Sequence, residues 1–380
     1  MTIAETTSQP NGQPANPPPS HTRPRLLLFT GFLGSGKTTL ISTLVRLCHA
    51  RGIKAAVIAN DQGSLLVDAQ YFASLETNTQ MVSGGCFCCN MSSFVQTIHT
   101  ICSSDPPDLI FAEAVGSCTD ITATVINPLI ALHAELVQVA GFLTLVDAPR
   151  LMGEYLQLNL EHPVSPREVL LQHQMREAGA ILLTKSDLIS QEQHTAGLAR
   201  LNALLPTTPV FPGDSRSSGF GEDLLDQLLE DRLPVAREVV EIDYHVYTQA
   251  EQELAWVDGS ATAEGTQDEL IAKAEAFLDA LSLALGLRLA HAKLFLFRDD
   301  LALKISCVGS RIGIDGSWSS EPESRGWAQV VINVRAQEEA PALEDLVVRC
   351  AGSLQIGSIR SFVPGEPKPE HHMGPDGLNA

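Results

Sequence analysis

The feature that most constrains this chain is residues 31–38, which read Gly-Phe-Leu-Gly-Ser-Gly-Lys-Thr. They match the P-loop pattern, in which a glycine and four residues precede Gly-Lys and then Ser or Thr. An apolar, strand-like run occupies residues 25–30 directly before this loop. After the loop, Leu40, Leu44 and Leu47 lie on one helical stripe. Because a strand, a glycine-rich loop and a helix N-terminus together attract phosphate, the chain is predicted to bind a nucleoside triphosphate.

Individual residues of the loop are expected to contact different parts of the magnesium nucleotide. Lys37 is expected to reach the β- and γ-phosphates, and the Thr38 hydroxyl is expected to ligate magnesium. The other loop positions expected to contact the nucleotide are Gly31, Gly34, Ser35, Gly36 and Thr39. A glycine-rich turn without a ligand is the plainer explanation, but it leaves the Gly-Lys-Thr at the helix start unexplained.

Length, charge and cysteine usage narrow the class of protein. A chain of 380 residues is long enough for two domains, and its net charge of −20 argues against non-specific binding to nucleic acid. No apolar run reaches the length of a membrane span, and the polar N-terminus does not resemble a secretory signal. Three of the eight cysteines cluster within residues 86–89. We therefore expect a reduced, cytoplasmic protein with neither a nucleic-acid nor a membrane partner.

The chain divides into segments of different pattern. Residues 1–24 are polar and proline-rich and are expected to be disordered. In residues 25–233, apolar strands alternate with amphipathic helices, which predicts an α/β P-loop NTPase domain with a mostly parallel, doubly wound sheet. Residues 238–355 are predicted to form a smaller α+β domain of ferredoxin-like type, and residues 363–380 a flexible tail.

The second half has its own predicted elements. Strands are expected over 239–246, 253–257, 293–297, 303–307 and 329–334. Helices are expected over 267–285 and 342–351. The Gly- and Ser-rich stretch 309–325 is expected to be an irregular loop.

A second motif predicts which base is bound. The sequence Thr184-Lys185-Ser186-Asp187 follows a predicted strand and fits the [NT]-K-x-D pattern of GTPases. The Asp187 carboxylate can accept hydrogen bonds from the guanine N1–H and exocyclic amine, which adenine does not offer. Lys185 can lie along the base, and Ser215 follows another strand at the place of a loop that contacts the guanine oxygen. A helix cap formed by Ser186 and Asp187 is the alternative explanation.

A magnesium–nucleotide site also needs an acid near the end of a neighbouring strand. Glu113 ends the predicted strand over 109–114 and is expected to hold magnesium through a water. The Gly116 N–H is expected to sense the γ-phosphate. Asp61, in Asn-Asp-Gln-Gly at 60–63, is expected to help arrange magnesium and the attacking water. An ordinary turn and a solvated carboxylate are the plainer explanations of these residues.

The run Gly-Gly-Cys-Phe-Cys-Cys at 84–89 predicts a metal site. Adjacent Cys88 and Cys89 cannot both point into a core from a regular element. Thiolates from Cys86, Cys88 and Cys89 suit zinc, copper(I) or cobalt. The spacing is tighter than the CxxC of zinc ribbons, which favours transient over permanent binding of the metal. Reduced structural cysteines and a redox pair are the alternatives.

Together, GFLGSGKTT, Glu113-x-x-Gly116, GGCFCC and TKSD resemble the CobW-type metallochaperone GTPases of the SIMIBI class. The resemblance covers residues 25–229 closely and the second half loosely. It implies slow GTP hydrolysis coupled to holding zinc or cobalt and delivering it to a client metalloprotein. It also implies that the three cysteines link metal status to nucleotide status, and a homodimer is common in this class. The catalytic positions it implies are Lys37, Thr38, Asp61 and Glu113.

The chain departs from the family pattern at several positions. Ser64 stands where the family often has a second acid, although Asp68 is kept. His371 and His372 form a histidine pair in the tail and are expected to be solvated. His245 and His291 are expected in or beside strands of the second domain as core residues. Cys118 follows Gly116 closely, and we expect it to lie outside the metal site.

Two other functions compete with a metal carrier. A P-loop serves small-molecule kinases equally well, and TKSD would then be a coincidence. A GTP-dependent regulatory switch with structural or redox cysteines is the other alternative. Equal affinity for ATP and GTP would favour the kinase, and zinc that stays bound throughout the nucleotide cycle would favour the switch.

Overall fold

The structure, a computed structural model, describes residues 23–61, 63, 67–75, 77–152, 165–299, 301–318 and 325–377. Of Asp61, Ser104, Ser317 and Trp318 only the main chain is described. The N-terminal segment 1–22, Gln62 and Ser64 lie outside the described residues. Within them, a seven-stranded and a six-stranded sheet organise the chain.

The first sheet is parallel throughout and confirms the predicted α/β class. Its order is β3-β2-β4-β1-β5-β6-β7. The strands are β1 (Arg25–Thr30), β2 (Ala55–Asp61), β3 (Asn78–Ser83), β4 (Leu109–Glu113), β5 (Gln138–Asp147), β6 (Ala180–Thr184) and β7 (Val210–Pro212). Strand β3 was not predicted, because only Val82 of this polar edge strand is buried.

Helices cover both faces of this sheet. They are α1 (Lys37–Arg51), α2 (Val67–Ala73), α3 (Met91–Ser104), α4 (Asn127–Leu132), α5 (Ala148–Arg150), α6 (Pro166–Arg176), α7 (Gln191–Leu204) and α8 (Ser218–Leu229). A π-helical turn, Thr122–Ile126, precedes α4. Strand β1 is apolar without alternation because both of its faces are buried. Leu26 and Leu28 lie in one core cluster, and Leu27 lies in the cluster on the opposite face.

The second sheet is antiparallel, in the order β11-β10-β9-β12-β8-β13. Its elements in chain order are β8 (Ala255–Gly265), α10 (Gln267–Leu285), β9 (Leu289–Arg298), β10 (Leu301–Val308), β11 (Arg311–Trp318), β12 (Gly326–Ala336), α11 (Ala340–Cys350) and β13 (Gln355–Phe362). The units β8-α10-β9 and β12-α11-β13 interlock as in the ferredoxin-like split βαβ arrangement, which confirms the predicted class. The hairpin of β10 and β11 extends the edge beside β9.

Two predictions for the second half are wrong. Residues 239–246 were predicted as a strand, but helix α9 (Tyr244–Gln252) begins there because the Asp243 carboxylate accepts the His245 N–H at 2.8 Å and caps it. His245 is therefore an exposed helical residue. The stretch 309–325 was predicted as an irregular loop, but β11 occupies its first half, paired with β10.

The second sheet packs over one edge of the first, with α2 between them. Tyr71 of α2 lies in a buried cluster with Phe295 and Val331, and the rings of Tyr71 and Phe295 are 6.3 Å apart between centroids. Arg150 bridges the sheets by donating 2.6 Å hydrogen bonds to the Leu33 and Ala290 carbonyls. No helix in the described part of the chain is long and apolar enough to span a bilayer.

Candidate nucleotide and metal site

A cavity of about 460 Å³ lies at the carboxyl ends of the parallel strands, the edge at which α/β sheets bind ligands. Its walls come from both halves of the chain. The first half contributes the P-loop, Asn60, Glu113, Gly116 and the segment 185–188. The second half contributes side chains of β8 to β12, so the cavity is closed by the second sheet.

The P-loop has the backbone that its glycines permit. Gly31 has φ +123°, and a Cβ there would lie 2.2 Å from the Leu145 carbonyl oxygen. Gly36 has φ +100° at the start of α1. Lys37 is buried and donates a 2.6 Å hydrogen bond to the Gly31 carbonyl, which holds its ammonium over the loop. The loop therefore presents N–H groups and a cation to the cavity.

Thr38, Asp68 and Glu113 converge beside the P-loop. The Thr38 hydroxyl lies 2.9 Å from Glu113 Oε1 and 3.0 Å from Asp68 Oδ1. Burial, followed by the charge of Asp68, raises the pKa of Glu113. Burial also opposes ionisation of Asp68, but the charges of Lys293 and Lys304 outweigh it and lower its pKa. The side chain of Asp61 lies outside the described residues.

These groups fit a magnesium-bound triphosphate. Among the residues that line the cavity, buried Glu113 Oε2 and Ser215 Oγ have no hydrogen-bond partner within the described part of the chain, whereas Ser35 does not line the cavity. Two carboxylates and a hydroxyl are the hard oxygen donors that magnesium prefers. Unpaired buried polar atoms are costly, and a bound cation and phosphate would satisfy them.

The predicted base-recognition residues lie at the far end of the cavity. Asp187 is exposed and lines it beside Lys185, which has φ +56°. The Lys185 ammonium pairs with Asp147 at 2.6 Å, and burial lowers its pKa. Thr184 does not line the cavity but donates a 2.6 Å hydrogen bond to the Ser35 carbonyl, so it ties this motif to the P-loop.

The second sheet brings cations into the cavity that the sequence did not predict. Lys293 pairs with Asp68, and the buried Lys304 ammonium lies 3.7 Å from Asp315 Oδ2. Asp315 also accepts a 3.2 Å hydrogen bond from the Thr39 hydroxyl. His291, predicted to be a core residue, is buried but lines the cavity. These residues lie more than 200 positions from the P-loop along the chain, so no local pattern signals the contact.

The three predicted metal-binding thiols converge in a turn before α3. Their sulfur atoms all lie within 4.8 Å of one another. Cys86 Sγ is 2.6 Å from Cys88 Sγ and 3.3 Å from Cys89 Sγ. Phe87 stacks on Phe94 at 4.1 Å between ring centroids, which anchors the turn in the core and directs the flanking sulfur atoms together. Cys86 and Cys88 are buried, and Cys89 is half-buried.

A fourth thiol, Cys118, lies against this cluster, although we expected it outside the site. Its sulfur is 3.8 Å from Cys88 Sγ, and the residue is fully buried. Hydrogen bonds from Cys86 and Cys88 lower the pKa of Cys118 to about 6. Hydrogen bonds to Cys118, Cys86 and Cys89 raise the pKa of Cys88.

Asn60 connects the nucleotide cavity with the cysteine turn. Asn60 lines the cavity, and its side-chain Nδ2 donates to the carbonyls of Val82 at 2.9 Å and Gly85 at 2.8 Å. Its Oδ1 accepts the Phe87 N–H at 3.0 Å. A change in the position of Asn60 would therefore move the backbone that carries the thiols.

The C-terminal segment covers the thiols, although it was predicted to be a flexible tail. The Lys368 N–H points to Cys89 Sγ at 3.1 Å, and the Glu370 N–H donates to the Cys88 carbonyl at 3.0 Å. His372, expected to be solvated, pairs with Asp120 at 3.1 Å. The structure therefore places residues 368–372 over the thiol cluster.

Comparisons with known proteins found a family domain and several relatives. Residues 25–212 match the family model described as the CobW/HypB/UreG nucleotide-binding domain. The zinc chaperone YjiA of Escherichia coli (strain K12) is 32% identical over 196 residues, which are 49% of this chain and 57% of YjiA. The zinc chaperone CobW of Sinorhizobium sp is 28% identical over 348 residues, which are 82% of this chain and 93% of that relative.

Two solved structures also align with the chain. Zn(II)-bound YjiA GTPase from E. coli aligns at TM-score 0.38 and 19% identity, over 87% of this chain and 99% of that chain. HypB from Helicobacter pylori in complex with nickel aligns at TM-score 0.39 and 17% identity, over 56% of this chain and 90% of that chain. Residues 25–212 are therefore a nucleotide-binding domain of the CobW/HypB/UreG type, with the P-loop after its first strand.

Proposed function

We propose that this protein binds GTP with magnesium, hydrolyses it, and carries zinc or cobalt that it delivers to a client metalloprotein. The observation that carries this proposal is Asn60, which lines the nucleotide cavity and whose side chain holds the cysteine turn by two hydrogen bonds, at Gly85 and Phe87. The names of the zinc chaperone relatives support the same function.

In this proposal the P-loop holds the triphosphate and positions it for hydrolysis. Lys37 neutralises charge on the β- and γ-phosphates, and the loop N–H groups at Gly34 and Gly36 bind phosphate oxygens. Thr38 and Glu113 hold magnesium, which supplies positive charge to the transferring phosphoryl group. Positioning and charge neutralisation carry most of the catalysis, so the turnover needs no covalent intermediate on this chain.

The thiol cluster holds the metal as cargo. Cys86, Cys88 and Cys89 lose their protons on binding, since the thiolate is the ligand. Loss of the γ-phosphate reorders the segments at Asn60 and Glu113, and this opens the cysteine turn for transfer to the client. Free thiols at all eight cysteines fit a reducing compartment, so we place the protein in the cytoplasm. A homodimer stays a prediction.

The base selectivity tests the GTP part of this proposal. Replacing Asp187 by asparagine is expected to weaken GTP binding by roughly 10² to 10³-fold. The asparagine Oδ1 still accepts from the guanine N1–H, but the hydrogen bond from the exocyclic amine to a charged acceptor, which contributes about 1.5–3 kcal/mol, is replaced by two opposed N–H donors. Xanthosine triphosphate should bind the variant better than GTP, since its base accepts where guanine donates. Titration with fluorescent analogues of both nucleotides measures this exchange.

The matched control is Asp243→Asn, an acid that caps α9 and lies outside the cavity lining. It should leave both affinities unchanged. If Asp187→Asn binds GTP and ATP as the parent chain does, Asp187 does not read the base, and the kinase alternative gains support.

A further inference from the structure

A fourth sulfur atom, that of Cys118, lies beside the three sulfur atoms of the CxCC run and contacts them through Cys88. Cys88 is their shared neighbour, with Cys89 Sγ and Cys118 Sγ each 3.8 Å away. Tetrahedral zinc with Zn–S bonds of about 2.3 Å has sulfur atoms about 3.8 Å apart. The Cys88–Cys89 and Cys88–Cys118 distances already have this length. For a four-thiolate zinc site, Cys86 and Cys88 would have to move apart from 2.6 Å, and Cys118 would have to approach the rest of the group.

Cys118 reaches the cluster from a different element. The other three thiols precede α3, whereas Cys118 lies in the loop that follows β4. This loop is fixed in place: Gln174 Nε2 donates to the carbonyls of Gly116 at 3.1 Å and Cys118 at 2.8 Å. The Thr119 N–H donates to the buried Tyr247 hydroxyl at 3.2 Å. The sulfur is therefore held at the cluster by groups that are independent of the cysteine turn.

The same loop contacts the phosphate-binding apparatus. Glu113, at the end of β4, accepts the Thr38 hydroxyl at 2.9 Å. Gly116 packs so closely on the P-loop that a Cβ there would lie 3.0 Å from the Leu33 nitrogen. Cys118 is two residues further along. A displacement of Gly116 by the γ-phosphate would therefore be passed to Cys118 through one short stretch of backbone.

We propose that Cys118 is the fourth thiolate ligand of the metal, and that nucleotide binding acts on the metal through it. This inference rests on the proposed function, because it assumes that the cluster holds cargo metal. The metal would then have three ligands from the cysteine turn and one, Cys118, from the loop that follows β4. Metal affinity would then respond directly to what occupies the P-loop.

Cobalt(II) titration of the reduced, metal-free protein tests the assignment in Cys118→Ser and Cys118→Ala. The near-ultraviolet thiolate-to-cobalt band grows with the number of sulfur ligands, so both variants should lose about a quarter of its intensity per cobalt. Their affinity for cobalt should fall by more than about 10 to 100-fold, which is the loss typical when only a group that hydrogen-bonds to a metal ligand is changed. The effect of magnesium and a non-hydrolysable GTP analogue on affinity should also shrink in both variants.

The matched control is Cys102→Ser, a half-buried thiol on α3 outside the cluster, which should behave as the parent chain does. X-ray absorption at the zinc edge of the parent chain counts ligands even if both variants unfold, and should give four sulfur atoms. A count of three, or variants with unchanged band and affinity, overturns the assignment of Cys118. A parent chain with no thiolate band at all overturns the proposed carrier function as well.

Discussion

Replacing Cys88 and Cys89 together by serine is expected to lower zinc affinity by at least about 10³-fold. Zinc held by a full set of protein ligands is bound with about 10–16 kcal/mol, and this variant removes two of the sulfur ligands, including Cys88, whose sulfur lies within 3.8 Å of each of the other three. Competition with a colorimetric zinc chelator measures the affinity. The cobalt charge-transfer band should fall to about half of its intensity per bound cobalt, because hydroxyl groups do not give it and Cys86 and Cys118 remain.

The variant should still bind GTP analogues, since neither residue lines the nucleotide cavity. The matched control is Cys102→Ser with Cys350→Ser, two half-buried cysteines outside the cluster. This control should retain zinc affinity. A Cys88/Cys89 variant that binds zinc as tightly as the control would remove the metal carrier from consideration and leave a switch with structural cysteines.

Replacing Lys37 by alanine is expected to weaken binding of GTP by roughly 10² to 10³-fold. Its buried ammonium is the P-loop cation, and each hydrogen bond between charged partners contributes about 1.5–3 kcal/mol. Titration with a fluorescent GTP analogue measures the loss, and phosphate release in single turnover should fall with it. The free energy of unfolding should change little, because the bond from Lys37 to the Gly31 carbonyl closes only the loop itself.

The control for this variant is Lys54→Ala, an exposed lysine at the opposite end of β2 that pairs with Asp105 on the surface. It should leave nucleotide affinity unchanged. Zinc affinity measured without nucleotide should be the same in Lys37→Ala and the parent chain, because Lys37 acts on the phosphates and is not a metal ligand. Tight GTP binding by Lys37→Ala would mean that the loop does not cradle phosphate.

The parts of this molecule that the sequence predicts are those governed by local physics. The P-loop needs positive φ at Gly31, and the parallel sheet needs strands that are apolar on both faces, as in β1. Helix α10 occupies the predicted residues 267–285 because a Thr266–Glu269 capping box starts it and a stripe of leucines continues it. Each of these patterns lies within a short stretch of consecutive residues, so the sequence alone shows it.

The parts that the sequence did not predict depend on contacts between distant residues. Lys293 meets Asp68 across 225 positions, and Cys118 meets Cys88 across 30. Strand β11 looked irregular because of its glycines, and it is formed by pairing with β10. The C-terminal segment looked like a mobile tail because it is rich in proline and glycine, but hydrogen bonds at Glu370 and Met373 attach it beside the thiols.

The central claim is that metal binding and nucleotide binding are coupled, and one measurement tests it most directly. Reduced, metal-free protein is titrated with cobalt(II), once alone and once with magnesium and a non-hydrolysable GTP analogue. We predict a near-ultraviolet thiolate-to-cobalt band whose midpoint differs between the two titrations by about 5 to 150-fold, the range of a 1–3 kcal/mol coupling free energy. No band, or the same midpoint in both titrations, would contradict the account.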